Sequence, residues 1–125
     1  MSSQERTAVA RRAATARWIR VRYGAPNLQS AGLPGGDIVD AGLADLADGS
    51  TTAESLAVSL AAPRLRREGI PLGRIEENPE ERLYSLLERT AGDLAHARYG
   101  AYLRQLSSFA DACHLLRRHR GRRAS

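Results

Sequence analysis

A chain of 125 residues is long enough for about one domain and one modest core. It carries 19 basic residues against 14 acids, for a formal charge of +5, and every base is an arginine. The lone cysteine, Cys113, excludes an internal disulfide, and no apolar run approaches the length of a membrane span, so the expectation is a cytoplasmic protein without membrane contact.

The Ala/Leu/Arg-rich composition favours helix over sheet. The first helix is expected over residues 4–23, where Thr7, Ala10, Ala14, Trp18 and Val21 follow 3-4-4-3 spacing on one stripe. Gly24, Pro26 and "SAGLPGG" read as a linker, 24–36. A helical domain then spans 37–118. Its opening helix starts at Asp37 as N-cap and runs to Asp48, with Val39, Leu43 and Leu46 facing inward, and Gly49 ends it.

In "TTAE", Thr51 and Glu54 offer a capping box for the next helix, whose inner face is Ala53, Leu56, Ala57 and Leu60. Pro63 is expected to interrupt that helix and start a short basic turn, "PRLRREG", closed by Gly69. After the loop "IPLGRIEEN", Asn78 with Pro79 behind it starts a helix carrying Leu83, Leu86 and Leu87. Gly92 stops that helix and Asp93 caps the last and longest one. The architecture expected is all-α: about five helices in a small bundle, with a long C-terminal helix and basic, partly disordered ends, the tail 119–125 among them.

Along that last helix Tyr99, Tyr102, Leu106, Phe109, Cys113 and Leu116 repeat at 3-4-3-4-3 spacing. A seam of this length serves either as core or as a surface for self-association or docking on a partner protein. In the second case Tyr99, Tyr102, Leu106 and Phe109 are the partner-binding residues.

Charge is unevenly spread. Residues 1–23 carry +5, 24–63 carry −5, 64–93 carry −1 and 94–125 carry +6. The N-terminal run "RTAVARRAATARWIRVRY" has six arginines and no acid, and "RRHRGRR" near the other end has five arginines in seven residues. Guanidinium groups grip phosphate in bidentate fashion, and each phosphate contact releases a counterion. The candidate nucleic-acid-binding residues are therefore Arg6, Arg11, Arg12, Arg17, Arg20 and Arg22 at one end and Arg117, Arg118, Arg120, Arg122 and Arg123 at the other. Trp18 either stacks on a base or anchors the helix. The blander account of the same residues is a solvated docking helix and a solubilising tail.

Other constellations are weaker. The pair of helices over 37–62 has helix-turn-helix lengths, but its second helix holds Glu54 and no arginine up to Ala62, and its first holds Asp40, Asp45 and Asp48. A helix that reads DNA should not repel phosphate. This acidic unit instead suits the chain's own arginines or a basic partner. "HARY" sets His96 and Tyr99 on one face without a nucleophile, a second acid or an oxyanion site. Cys113, His114 and His119 do not share a helix face, so no metal site is expected. "GLPGG" lacks the Lys-Ser/Thr of a phosphate-cradling loop. Trp18, Ile19, Val21 and Tyr23 do not share one face, which argues against an interfacial membrane helix. The Arg/Ala/Ser-rich start is similar to a mitochondrial transit peptide, but the GC-rich signature of the composition points to a bacterium.

"RRAATARW" (11–18) resembles an Ala/Arg-Trp segment of small uncharacterised bacterial proteins. "APRLRREGIPL" (62–72) and "ERLYSLLERTAGDLAHARYGAYLRQLSSF" (81–109) resemble a group of small bacterial proteins similar to the smaller partner of toxin–antitoxin or mobile-element gene pairs. That resemblance implies a partner protein encoded by a neighbouring gene and names no catalytic residue. The expectation is thus a non-enzymatic protein without a cofactor that binds nucleic acid, DNA rather than RNA, through its arginine-rich ends. The alternative is an antitoxin-like or adaptor subunit that binds a partner through the helical domain.

Overall fold

A computed structural model describes the backbone of residues 2–124 and the side chains of residues 2–121. Four α-helices, α1 (Ser3–Tyr23), α2 (Gly36–Asp48), α3 (Ala53–Arg67) and α4 (Pro79–Ala91), precede the long C-terminal α5 (Ala95–Ala124). A 3-10 turn, Gly92–Leu94, adds a further helical piece where the sequence suggests only a stop and a cap. There is no strand among the described residues.

α3 is the hub. Leu56, Ala57, Val58, Ala62 and Leu65 are buried around most of its circumference, against α2 on one side and α4 and α5 on the other. Phe109 of α5 is fully buried in the same core with Leu28, Val39 and Leu83. α2 approaches α3 closely because Gly42 has no side chain. A Cβ there would lie 2.4 Å from Val58 Cγ2 and 2.7 Å from the Glu54 carbonyl oxygen.

Several local expectations move. The helix expected from Asp37 has Gly35 as its N-cap, at φ 72°, and Asp37 sits in its first turn near the positive end of the helix dipole. The capping box lies one residue later than expected: Thr52 Oγ1 accepts from Ser55 N–H, and Ser55 Oγ accepts from Thr52 N–H. Thr51 instead donates to Glu76, and Glu54 accepts from the Tyr102 hydroxyl.

Pro63 does not interrupt α3. Its missing N–H removes one helical bond, but Ala62 and Leu65 on either side are fully buried, and their packing holds the turn. The expected linker 24–36 is part of the core. Leu28 is fully buried, Leu33 is buried, and the Asp40 carboxylate accepts from the N–H groups of Leu28 (2.9 Å) and Gln29 (3.0 Å). An acid that looked free to meet a basic partner instead fastens this loop.

The basic tail assigned to 119–125 has helical backbone through Ala124; its last residue lies outside the described residues. Among the described residues no helix is long and apolar enough to cross a membrane.

Candidate nucleic-acid interface

The α1 stripe differs from the one predicted. Ile19 is the residue α1 buries, Trp18 and Tyr23 are half-buried, and Val21 stands 88% exposed. The alanines of the predicted stripe, Ala10 and Ala14, face water. With about 3.6 residues per turn, Arg12 shares the inward side of Ile19 and ion-pairs with Asp48 of α2. Arg11 and Arg22 lie on one flank with Trp18, and Arg6, Arg17 and Arg20 on the other. The candidate arginines of α1 do not form one face: from Arg6 to Arg22 they are strung over about 24 Å, at about 1.5 Å per residue.

Convergence occurs at the other end of the helix. The Arg120 guanidinium of α5 donates to the carbonyl of Arg22, and its Cζ sits 5.7 Å from the centre of the Tyr23 ring. Tyr23 donates its hydroxyl hydrogen to Cys113 Sγ at 3.5 Å, and its ring meets Trp18 edge-on at 5.8 Å. One turn before Arg120, Arg117 donates to the carbonyl of Arg67 at 3.0 Å, at the end of α3. The Oε1 atom of Glu68 lies 3.2 Å from Arg117 Nη2, within ion-pair range but without hydrogen-bond alignment, and His114 Nδ1 is 3.4 Å from Oε2.

The C-terminal ends of α1 and α3 therefore meet side chains from the last turns of α5. Cationic side chains are stable there because α1 and α3 present unpaired carbonyls and the negative ends of their dipoles. The arginines hold the ends together while their charge remains largely uncompensated. Glu68, only 7% exposed, is the acid that Arg117 and His114 engage. Arg20, Arg22, Arg67, Arg118 and Arg120 have no ion pair among the described residues. Burial, and then the hydrogen bond to Cys113, pushes the Tyr23 hydroxyl up to about 12, so it stays protonated at physiological pH. Burial likewise raises the Cys113 thiol, which makes it a poor nucleophile.

Compared with known protein families, curated proteins and solved structures, the chain matches none. Its function has to be read from the geometry alone.

Of the predicted nucleic-acid residues, Arg22, Arg117 and Arg120 come together, while Arg20 and Arg118, each two residues from one of these on its helix, face the outer sides of the same helix ends. Arg6, Arg11 and Arg17 lie away along α1, Arg12 is engaged by Asp48, and the side chains of Arg122 and Arg123 lie outside the described residues. Trp18 packs beside Tyr23 and above Gly69, where a Cβ would sit 3.8 Å from its ring, so it anchors the helix. Arg67 belongs with Arg22, Arg117 and Arg120 and is absent from the sequence-derived set. The three arginines in "RLRR" carried the signal, hidden because the segment reads as a separate turn and not as a helix end.

Of the predicted partner-binding residues, Leu106 and Phe109 are core and offer no surface. Tyr99 and Tyr102 are half-buried. Tyr99 meets Tyr84 edge-on at 5.5 Å in an open hollow that also contains His96, Glu80 and Glu81. The α2–α3 pair cannot read DNA as a helix-turn-helix, because α3 is buried on nearly all sides. Among the described residues no group of three or more His, Cys, Asp or Glu side chains gathers to hold a metal.

Proposed function

We propose that the protein binds nucleic acid, without catalysing a reaction on it, through the arginines gathered where α1, α3 and α5 end. The observation that carries this reading is the contact of Arg120 with the Arg22 carbonyl and the Tyr23 ring. It joins two basic segments from opposite ends of the chain into one surface. A solubilising tail has no need to fold back on the other basic end, whereas phosphates along a strand need several guanidinium groups on one surface.

Contacts of this kind position a protein on a phosphate backbone and do not read sequence. Arg22, Arg67 and Arg120 offer three contacts at the junction, and Arg20 and Arg118 on the outer sides of the same helix ends bring the number to five. Five contacts give a log–log salt slope of about −5. DNA is the favoured ligand.

The test is fluorescence anisotropy of the full chain with duplex DNA, single-stranded DNA and RNA across a salt series. Replacing Arg20, Arg22, Arg118 and Arg120 together by alanine is expected to flatten the slope to about −1. Replacing Arg6 and Arg11 is expected to change it little. Point substitutions keep Ile19 and Tyr23 in the packed structure, which loss of residues 1–23 would not. An unchanged slope in the fourfold variant, with helical content intact, removes the assignment.

A further inference from the structure

A different part of the molecule has the makings of a small-molecule site. Beneath α1, between that helix and the loop 71–76, two hollows adjoin. The inner one, of about 290 Å³, has Ala14, Leu43, Leu46 and Leu72 among its walls. The outer one, of about 520 Å³, continues past Thr7 and Thr51 toward the start of α1. Arg11 and Arg74 border both.

Every carboxylate that borders this groove already has a partner. Asp48 is ion-paired with Arg12. Glu76 takes Arg82 Nη1 at 3.1 Å and the Thr51 hydroxyl at 3.1 Å. Arg11 and Arg74 have no ion pair among the described residues. Arg11 lies along the loop, with its Cζ 4.0 Å from where a Cβ on Gly73 would be. Two uncompensated guanidinium groups thus border a hollow whose inner wall is largely apolar. A few charged groups at the mouth of an apolar pocket are the common pattern of a small-ligand site. Guanidinium pairs select carboxylate and phosphate oxygens.

We propose that this groove binds a small organic oxyanion, a carboxylate or a phosphate monoester. Arg11 and Arg74 grip the charged end, and the apolar body rests on Leu43, Leu46 and Leu72. Bare phosphate would leave the apolar wall unused, and a neutral apolar compound would leave both guanidinium groups without a partner. The site is independent of the arginines at the ends of α1, α3 and α5.

Isothermal titration of the full chain at neutral pH tests the proposal with four probes: 1-naphthyl phosphate, 1-naphthoate, inorganic phosphate and 1-naphthol. One or both naphthyl anions are expected to bind at least tenfold more tightly than phosphate or naphthol, and which of them does so identifies the preferred headgroup. Arg11→Ala and Arg74→Ala are each expected to weaken that binding at least tenfold. Both side chains are exposed, so neither change threatens the fold. Arg118→Ala is expected to leave the titration unchanged, which separates this site from the nucleic-acid surface. Equal binding of inorganic phosphate or of naphthol overturns the proposal. So does undiminished binding after Arg74→Ala, or no binding of either naphthyl anion at millimolar concentration.

Discussion

The two basic helices at the ends of the chain, α1 and α5, are attached to the body in opposite ways. α5 spends a heptad-spaced row, Leu106, Phe109 and Cys113, on the core, and its arginines begin to crowd only where that row ends. α1 buries Ile19 alone, with Trp18 and Tyr23 half in, and otherwise holds on by polar contacts such as Arg12 with Asp48 and Arg22 with Arg120. Most helical stability in a protein comes from tertiary packing, so α1 owes much of its order to its last two turns. One basic end is thus built into the fold, and the other is clipped to it.

The largest expected effects test that contrast directly. Phe109→Ala empties the centre of the core and should cost about 4 kcal/mol, a large share of the stability of a small domain. Helix melting by circular dichroism and loss of Trp18 burial should then coincide. Ile19→Ala should cost about 2–3 kcal/mol in a different manner. The Trp18 emission should shift to the red and lose its transition at denaturant concentrations where the rest of the helical signal persists. If both variants unfold in single coincident transitions of equal cost, α1 is as integral as α5 and the contrast fails.

This asymmetry also accounts for what could be read from the sequence. The row on α5 was legible because large apolar residues recur at helical spacing, and only Leu116, 41% exposed, departs from it. The start of α4 was legible because Pro79 follows Asn78. The stripe of α1 was not, because alanine carries little burial information and the one decisive residue, Ile19, stands beside Trp18 and invites a stripe one position off. The segment 24–36 reads as a linker by its glycines and prolines. Nothing local announces that Asp40, a dozen residues on, caps the amides of Leu28 and Gln29. The candidate surface was half legible: the two arginine clusters were visible in the sequence, and their convergence through Arg120 and Tyr23 was not, since it rests on contacts 98 residues apart.

A smaller effect probes the clip between the two ends. The Tyr23 hydroxyl, raised to about 12 by burial and by Cys113, keeps its proton in the folded chain after an unfolded tyrosine has begun to lose it near pH 10. The unfolded state then binds fewer protons, so stability is full below pH 10 and falls as pH rises toward 12. At pH 11 the loss from this group should be about 1 kcal/mol, after allowance for a ring that is half exposed to solvent. Tyr23→Phe should remove that part of the slope in urea titrations at pH 9 to 11. A shallower slope will remain, because burial also raises the hydroxyls of Tyr99 and Tyr102 and the Cys113 thiol. An identical slope in wild type and Tyr23→Phe would mean that Tyr23 is not held buried against the body in solution.

The smallest effect concerns the middle of α1. Arg12 and Asp48 are both substantially exposed, at 50% and 34% of their side chains, so their pair should contribute under 1 kcal/mol and fade with salt. Arg12→Ala should therefore barely move the midpoint of global unfolding. Hydrogen exchange is the sharper measurement, because the pair ties α1 to α2 about two turns before Ile19. The amides of Thr15 to Trp18 should exchange several-fold faster in Arg12→Ala, and those around Phe109 should not change. Asp48→Asn should give the same pattern, and the double variant should be no worse than either single one, as expected when two residues act through one contact. Additive effects would mean that each side chain holds α1 by some other route, and the polar clip would then be broader than one ion pair.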